Sequence, residues 1–245
     1  MFDQTNNNRY FTASPGTYDV TAGRIFMRQV FSWMTLAMVV TAITAYLFAS
    51  EPSLVMSLRN AETGGMTILG WIVTLAPIGF VLLMSFGFER LSPAVLTLLF
   101  VTFSVLMGMS LSFILLVYTM ASVFKTFLVT ALMFGVMAIT GYTTKTDLTR
   151  FGSIMMMGLI GLVIAMLVNM FLQSGTMDYI ISIIGVLIFT GLTAYDVQRL
   201  KNMSAQIGTA GEANAKKLSI MGALTLYLDF INLFIFLLRF LGDRK

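Results

Sequence analysis

The chain contains neither cysteine nor histidine. Without cysteine it has no disulfide framework and no thiolate metal centre. Without histidine it lacks the commonest metal ligand and the one side chain that ordinarily titrates near neutral pH. Any response to pH in that range falls to carboxyl groups titrating outside their usual range. Charge is scarce as well: Asp, Glu, Lys and Arg make up 11% of the 245 residues, against about 25% in soluble domains. The solvent of such a chain is mostly lipid. The net charge of +4 does not mark a nucleic-acid binder, because the basic residues are scattered among the ends of apolar runs.

What is there is hydrophobic: 58% of the residues, enough for six to eight spans of about 20 residues each. Polar clusters divide the apolar sequence into seven candidate spans, at 25–49, 66–87, 93–117, 122–142, 152–173, 178–198 and 216–241. These runs are too long and too unalternating for the strands of a membrane barrel. The predicted fold is an all-α integral membrane bundle of seven helices over residues 25–242, preceded by a polar tail at 1–24. The first run is too long for a signal-peptide core and has no small-residue cleavage site behind it. Only Tyr118, Thr119, Ser122 and Lys125 break the hydrophobicity between the third and fourth runs, so that turn must be tight. Pro93, after Ser92, suits the first turn of a helix, whereas Pro77 lies inside the second run and predicts a kink. Gly158, Gly161 and Gly185 are expected at close helix contacts, and the 20 methionines are adaptable apolar filler.

Lys and Arg collect on the cytoplasmic side of membrane proteins. With the N-terminus inside, Arg9, Arg24, Arg28, Arg90, Lys145, Arg150, Arg199, Lys201, Lys216 and Lys217 fall on that side. Arg59, Lys125, Arg239, Arg244 and Lys245 fall outside. Ten against five predicts a cytoplasmic N-terminus and an external C-terminus.

Two aspartates stand out against this background. Asp196 and Asp229 lie in the last two apolar runs, where a charged side chain at the helix centre costs about 2.5–3.5 kcal/mol on insertion scales. In the last run Gly222, Thr225, Asp229 and Asn232 fall at spacings that make one small, polar helical stripe. Thr193 lies one turn before Asp196, so both aspartates are expected to face the bundle interior. Two carboxylates held close are not both ionised cheaply, and they share a proton in a titration that belongs to the pair. Their oxygens also suit a hard cation such as Ca²⁺. The plainer reading of Asp196 is a helix-end residue reaching the interface beside Arg199 and Lys201. Arg90, at the end of the second run and on the same side as Asp196, is the candidate ion-pair partner that would tie the second helix to the sixth. Its plainer reading is a snorkelling anchor. Asn169 in the fifth run reads as an interhelical hydrogen bond.

The segments Phe-Thr-Gly-Leu-Thr-Ala-Tyr-Asp196-Val-Gln and Leu-Thr-Leu-Tyr-Leu-Asp229-Phe-Ile-Asn-Leu-Phe together resemble the signature of the Bax inhibitor-one family, the transmembrane Bax inhibitor motif proteins. The likeness is closest to its bacterial inner-membrane, YbhL-like branch. It extends through Gly-Tyr-Thr-Thr-Lys145-Thr-Asp-Leu and Phe-Glu89-Arg90-Leu-Ser-Pro93, covering about residues 20–242. The resemblance implies a seven-helix bundle with the seventh helix at its centre, set in the bacterial inner (plasma) membrane. It also implies a pH-sensitive calcium leak rather than an enzyme, with Ca²⁺ as the permeant ion and no cofactor. An aspartate pair on the sixth and seventh helices, matched by Asp196 and Asp229, would hydrogen-bond there with an arginine partner from the second helix. Arg90 matches that arginine by its place before the third helix.

Two other functions compete. A membrane-embedded regulator of another membrane protein, such as a membrane-bound protease, would use the polar tail with Asn6, Asn7, Asn8 and Arg9 as its contact. An aspartyl intramembrane protease would also carry two aspartates on neighbouring helices. Such enzymes have Gly-x-Gly-Asp before the second aspartate and a later Pro-Ala-Leu, whereas here the second motif is Leu-Tyr-Leu-Asp229 and no proline follows it.

Overall fold

The computed structural model describes residues 20–60, 65–205, 207 and 211–245. Among the described residues eight α-helices follow in order: α1 (Val20–Ser50), α2 (Pro52–Leu58), α3 (Ile68–Gly87), α4 (Pro93–Val117), α5 (Met120–Thr143), α6 (Thr149–Leu172), α7 (Gly175–Ser204) and α8 (Glu212–Leu241). All but the short α2 are long and apolar enough to cross a membrane, and no sheet is present among the described residues. The all-α, seven-span expectation holds. Most of the polar tail lies outside the described residues, as do Asn6, Asn7, Asn8 and Arg9, but 20–24 at its end are already helical. The amphipathic start of α1 lengthened that helix beyond its apolar run.

The seventh span, α8, is the centre of the bundle. It packs against α1, α4, α5 and α7, and 72% of its apolar stretch is buried, against 11% for α6. Leu226, Phe230, Phe234 and Leu238 are all buried and pack within the core. Tyr227 stands wholly inside, with its ring edge-on to Phe100 and Phe103. Its hydroxyl lies 2.7 Å from that of Thr41, which in turn donates to the carbonyl of Ser104 at 2.9 Å. One buried polar chain thereby joins α8 to α1 and α4. By contrast, α6 rests on α7 and α3 on α4, each without comparable contact to another span. Their outer faces present residues such as Phe86, Trp71, Phe171 and Met157, which belong against hydrocarbon.

The connections are short and specifically closed. Ser92 caps α4, its hydroxyl accepting from the Val95 amide at 3.3 Å, with Pro93 at the first helical position. Only Tyr118 and Thr119 separate α4 from α5, as the tight turn required, and Thr119 caps α5 through the Ser122 amide. The end of the chain is stitched to that turn: the Thr119 amide donates to the Asp243 carbonyl, and the Asp243 amide donates to the Ser122 hydroxyl. The Lys245 amide donates to the Val117 carbonyl. Helix α3 continues through Pro77. Gly185 lies under the Phe236 ring and Gly158 faces Ile188, as close-packing points should, but Gly161 faces open space.

Helices α7 and α8 have 30 residues each, about 45 Å of helix, while the hydrocarbon core is about 30 Å thick. Their extra turns extend the α7–α8 end past the apolar runs. Arg199 and Lys201 lie on the α7 extension, with Lys216 and Lys217 just beyond the α8 one. There Lys201 donates to the Tyr142 carbonyl at 2.6 Å, and Gln198 bridges the Thr146 carbonyl and the Leu148 amide, at 2.7 and 2.8 Å.

Candidate functional site: a carboxyl pair in an interhelical cavity

Asp196 sits eight residues before the end of α7, about 12 Å inside it, and Asp229 lies in the middle of α8. The two residues are 8% and 5% exposed, and each carboxyl is within side-chain hydrogen-bonding reach of the other. Close packing of α7 on α8 makes this meeting possible. Asp229 Oδ2 is buried with no hydrogen-bond partner among the described residues. A buried, unsatisfied polar atom is costly and calls for a functional explanation.

Asp196 and Asp229 line a cavity of about 620 Å³ between α6, α7 and α8, far more room than the ~10–15 Å³ one water needs. Its α6 wall is apolar, including Met156, Leu162 and Met166; its polar side holds Asp196, Asp229, Thr225, Asn232 and Tyr195. Arg199 and Arg239 line it as well. Thr225 and Arg239 are 14 positions apart on α8, about 21 Å of rise, so the cavity runs along much of the helix. Arg239 is paired with Asp178 of α7 at 3.5 Å, both side chains more than one-third exposed.

The structure sorts the expected site residues. It brings together Asp196, Asp229, Thr225 and Asn232. Gly222 instead packs against Leu200 and Val30. Thr193 is fully buried, its hydroxyl donating to the Phe189 carbonyl, and it does not line the cavity. Asn169 accepts from the Ser174 amide at 3.1 Å, closing the α6–α7 turn rather than bonding across the bundle. Arg90 is exposed in the turn between α3 and α4 and forms no ion pair with either aspartate. That turn is held to α8 by Lys217, whose ammonium lies 4.8 Å from the Phe88 ring centre and 3.4 Å from the Glu89 carbonyl. The cation whose charge acts on Asp196 is Arg199, one turn along the same helix. The sequence itself sets Arg199 beside Asp196, in the helix-end reading, and residues three apart share a helix face.

The carboxyls, the Thr225 hydroxyl and the Asn232 amide offer hard oxygen donors on one wall, the chemistry Ca²⁺ accepts. The family described as Inhibitor of apoptosis-promoting Bax1 (Bax1-I) matches residues 23–245. The chain belongs to this family. Among relatives of this Bax1-I protein, the Inner membrane protein YbhL of Escherichia coli K12 is 48% identical over 220 residues, covering 90% of this chain and 92% of that one. A protein of Rickettsia prowazekii is 42% identical over 235 residues, covering 96% and 95%. One of Caulobacter vibrioides is 41% identical over 241 residues, covering 97% and 96%. Family membership and seven spans make this a multi-pass membrane protein, and the Escherichia coli relative carries the inner membrane in its name.

Proposed function

We propose that the protein is a proton-linked cation leak of the inner membrane, with Ca²⁺ as the expected ion. Asp196 and Asp229 hold one proton between them, and exchange of that proton gates the path. The observation that carries this reading is the meeting of two buried carboxyls, one oxygen unsatisfied, in a cavity that runs along the central helix. With the proton present, the pair carries a single negative charge and its hydrogen bond ties α7 to α8. Once the proton leaves, two carboxylates repel each other across the cavity and a divalent cation neutralises both. Cation and proton therefore compete for the same oxygens. In a chain without histidine, this pair takes the role that imidazole has in many pH sensors.

The test is calcium flux into liposomes over about two pH units around neutrality, the range in which many pH sensors act. The wild-type flux is expected to change with pH, and that change should disappear in both Asp196→Asn and Asp229→Asn. Variants that keep the wild-type pH response would refute the mechanism.

A further inference from the structure

We propose that Arg199 and Tyr195 form a charge gate between the carboxyl cavity and a smaller chamber at the α7–α8 loop end, the vestibule through which a cation reaches the pair. The proposal rests on the leak reading. The chamber has a volume of about 190 Å³ and is lined by Thr149, Tyr195, Gln198, Arg199, Asn202 and Met203. Tyr195 and Arg199 also line the 620 Å³ cavity. Side chains that border both spaces are the wall between them.

The two parts of the wall differ in freedom. The Tyr195 ring lies against the backbone of Gly152 on α6, where an added Cβ would overlap it, so Tyr195 is the fixed part. Arg199 is exposed, and no ion pair or hydrogen bond holds it among the described residues. Its long side chain is the movable part. The guanidinium is a cation. Leaning toward Asp196, it closes the wall and repels an approaching cation; turned into the vestibule or the solvent, it joins the two spaces. The ionisable groups facing it are Asp196 and Asp229, with Arg239 at the far end, while α6 contributes apolar residues to the larger cavity. Among the described residues, the vestibule's lining apart from Tyr195 and Arg199 offers only hydroxyl, amide and thioether groups. Arg199 is, among the described residues, the charged side chain that lines both spaces, and its charge controls passage between them.

Because the chain has no cysteine, a single introduced thiol reports on the wall without interference. Asn202→Cys places it in the vestibule and Thr225→Cys in the carboxyl cavity. Each variant in liposomes is treated with a positively charged methanethiosulfonate reagent on the face from which Asn202→Cys reacts. Thr225→Cys should react slowly from that face. Adding Arg199→Gln should speed it about tenfold or more, the scale of one unit charge at several ångströms in an effective dielectric near 20. Arg199→Lys should restore the slow rate, and a neutral reagent of the same size should gain less from Arg199→Gln. A Thr225→Cys rate that ignores Arg199→Gln, or protection of Asn202→Cys, overturns the gate. Labelling needs no ion flux, so failure of the aspartate variants in the flux assay and failure of the gate are separate results.

Discussion

Gly141 offers a direct test of how the carboxyl pair is held. It is buried on α5 where that helix meets α7. A Cβ added there would stand 2.9 Å from both Cα and the carbonyl carbon of Ala194, and closer still to the carbonyl oxygen. Carbon atoms pack best at about 3.5–4.0 Å, so the two carbon contacts alone call for a separation of ~0.6 Å, and the oxygen contact for more. The obstacle is backbone, and no rotamer change removes it. Ala194 precedes Asp196 by two residues, and α8 is anchored elsewhere through Tyr227 and the stitched chain end. The movement therefore falls on α7. An O–H···O bond near 2.7 Å that lengthens by this amount leaves the range of about 2.5–3.0 Å in which it is strong. We expect Gly141→Ala to cost about 1–3 kcal/mol, the range for overpacked cores, read as a lower melting temperature in detergent. The pH response of calcium flux should weaken with it. Gly135→Ala is the control, because nothing lies within 4 Å of a Cβ on that part of the same helix. If the two variants melt together and leak alike, the reasoning about the α5–α7 contact is wrong.

Two further outcomes follow from hydrogen bonds. Tyr227→Phe removes the 2.7 Å contact with Thr41 but leaves the Thr41 bond to Ser104 in place; the expected loss is about 1 kcal/mol of stability, and no loss in thermal denaturation would mean the chain linking α8 to α1 is idle. Asp147, in the loop before α6, accepts from the Thr149 hydroxyl at 2.6 Å and its amide at 2.9 Å. These bonds, the hydroxyl's first, hold its pKa below the ordinary carboxylate value. Its contribution is thus present above the unfolded pKa and is lost as pH falls through the lower folded one. Asp147→Ala should therefore melt below wild type at pH 7, with the gap closing once the medium is more acidic than the folded carboxyl's pKa; a gap unchanged by acid would rule out the carboxylate as its source.

The spans were legible because exclusion of charge from hydrocarbon leaves a coarse mark on sequence. Helix ends were less so: α7 continues to Ser204 and α8 begins at Glu212, past the apolar runs, because backbone hydrogen bonding does not stop where hydropathy does. The short α2 carries too few residues to stand out between two spans. The aspartate pair could be found for the reason the spans could, as charge where charge is expensive. Its neighbour could not be found by side of the membrane alone, a criterion that Arg90 and Arg199 satisfy equally. What separates them is that Arg199 shares a helix with Asp196, whereas Arg90 sits on a turn that Lys217 holds to α8. Asn169 was misleading because an amide in an apolar run suits a turn closure as well as a bond between helices.

Helix α6 forms one whole side of the carboxyl cavity yet leans mainly on one neighbour, α7. Acyl chains press on its other side, so the width of that cavity is set partly by the bilayer's lateral pressure and thickness. Ion passage measured in short-chain lipids and in long-chain lipids should then differ at the same pH, and a micelle is a poor stand-in for either.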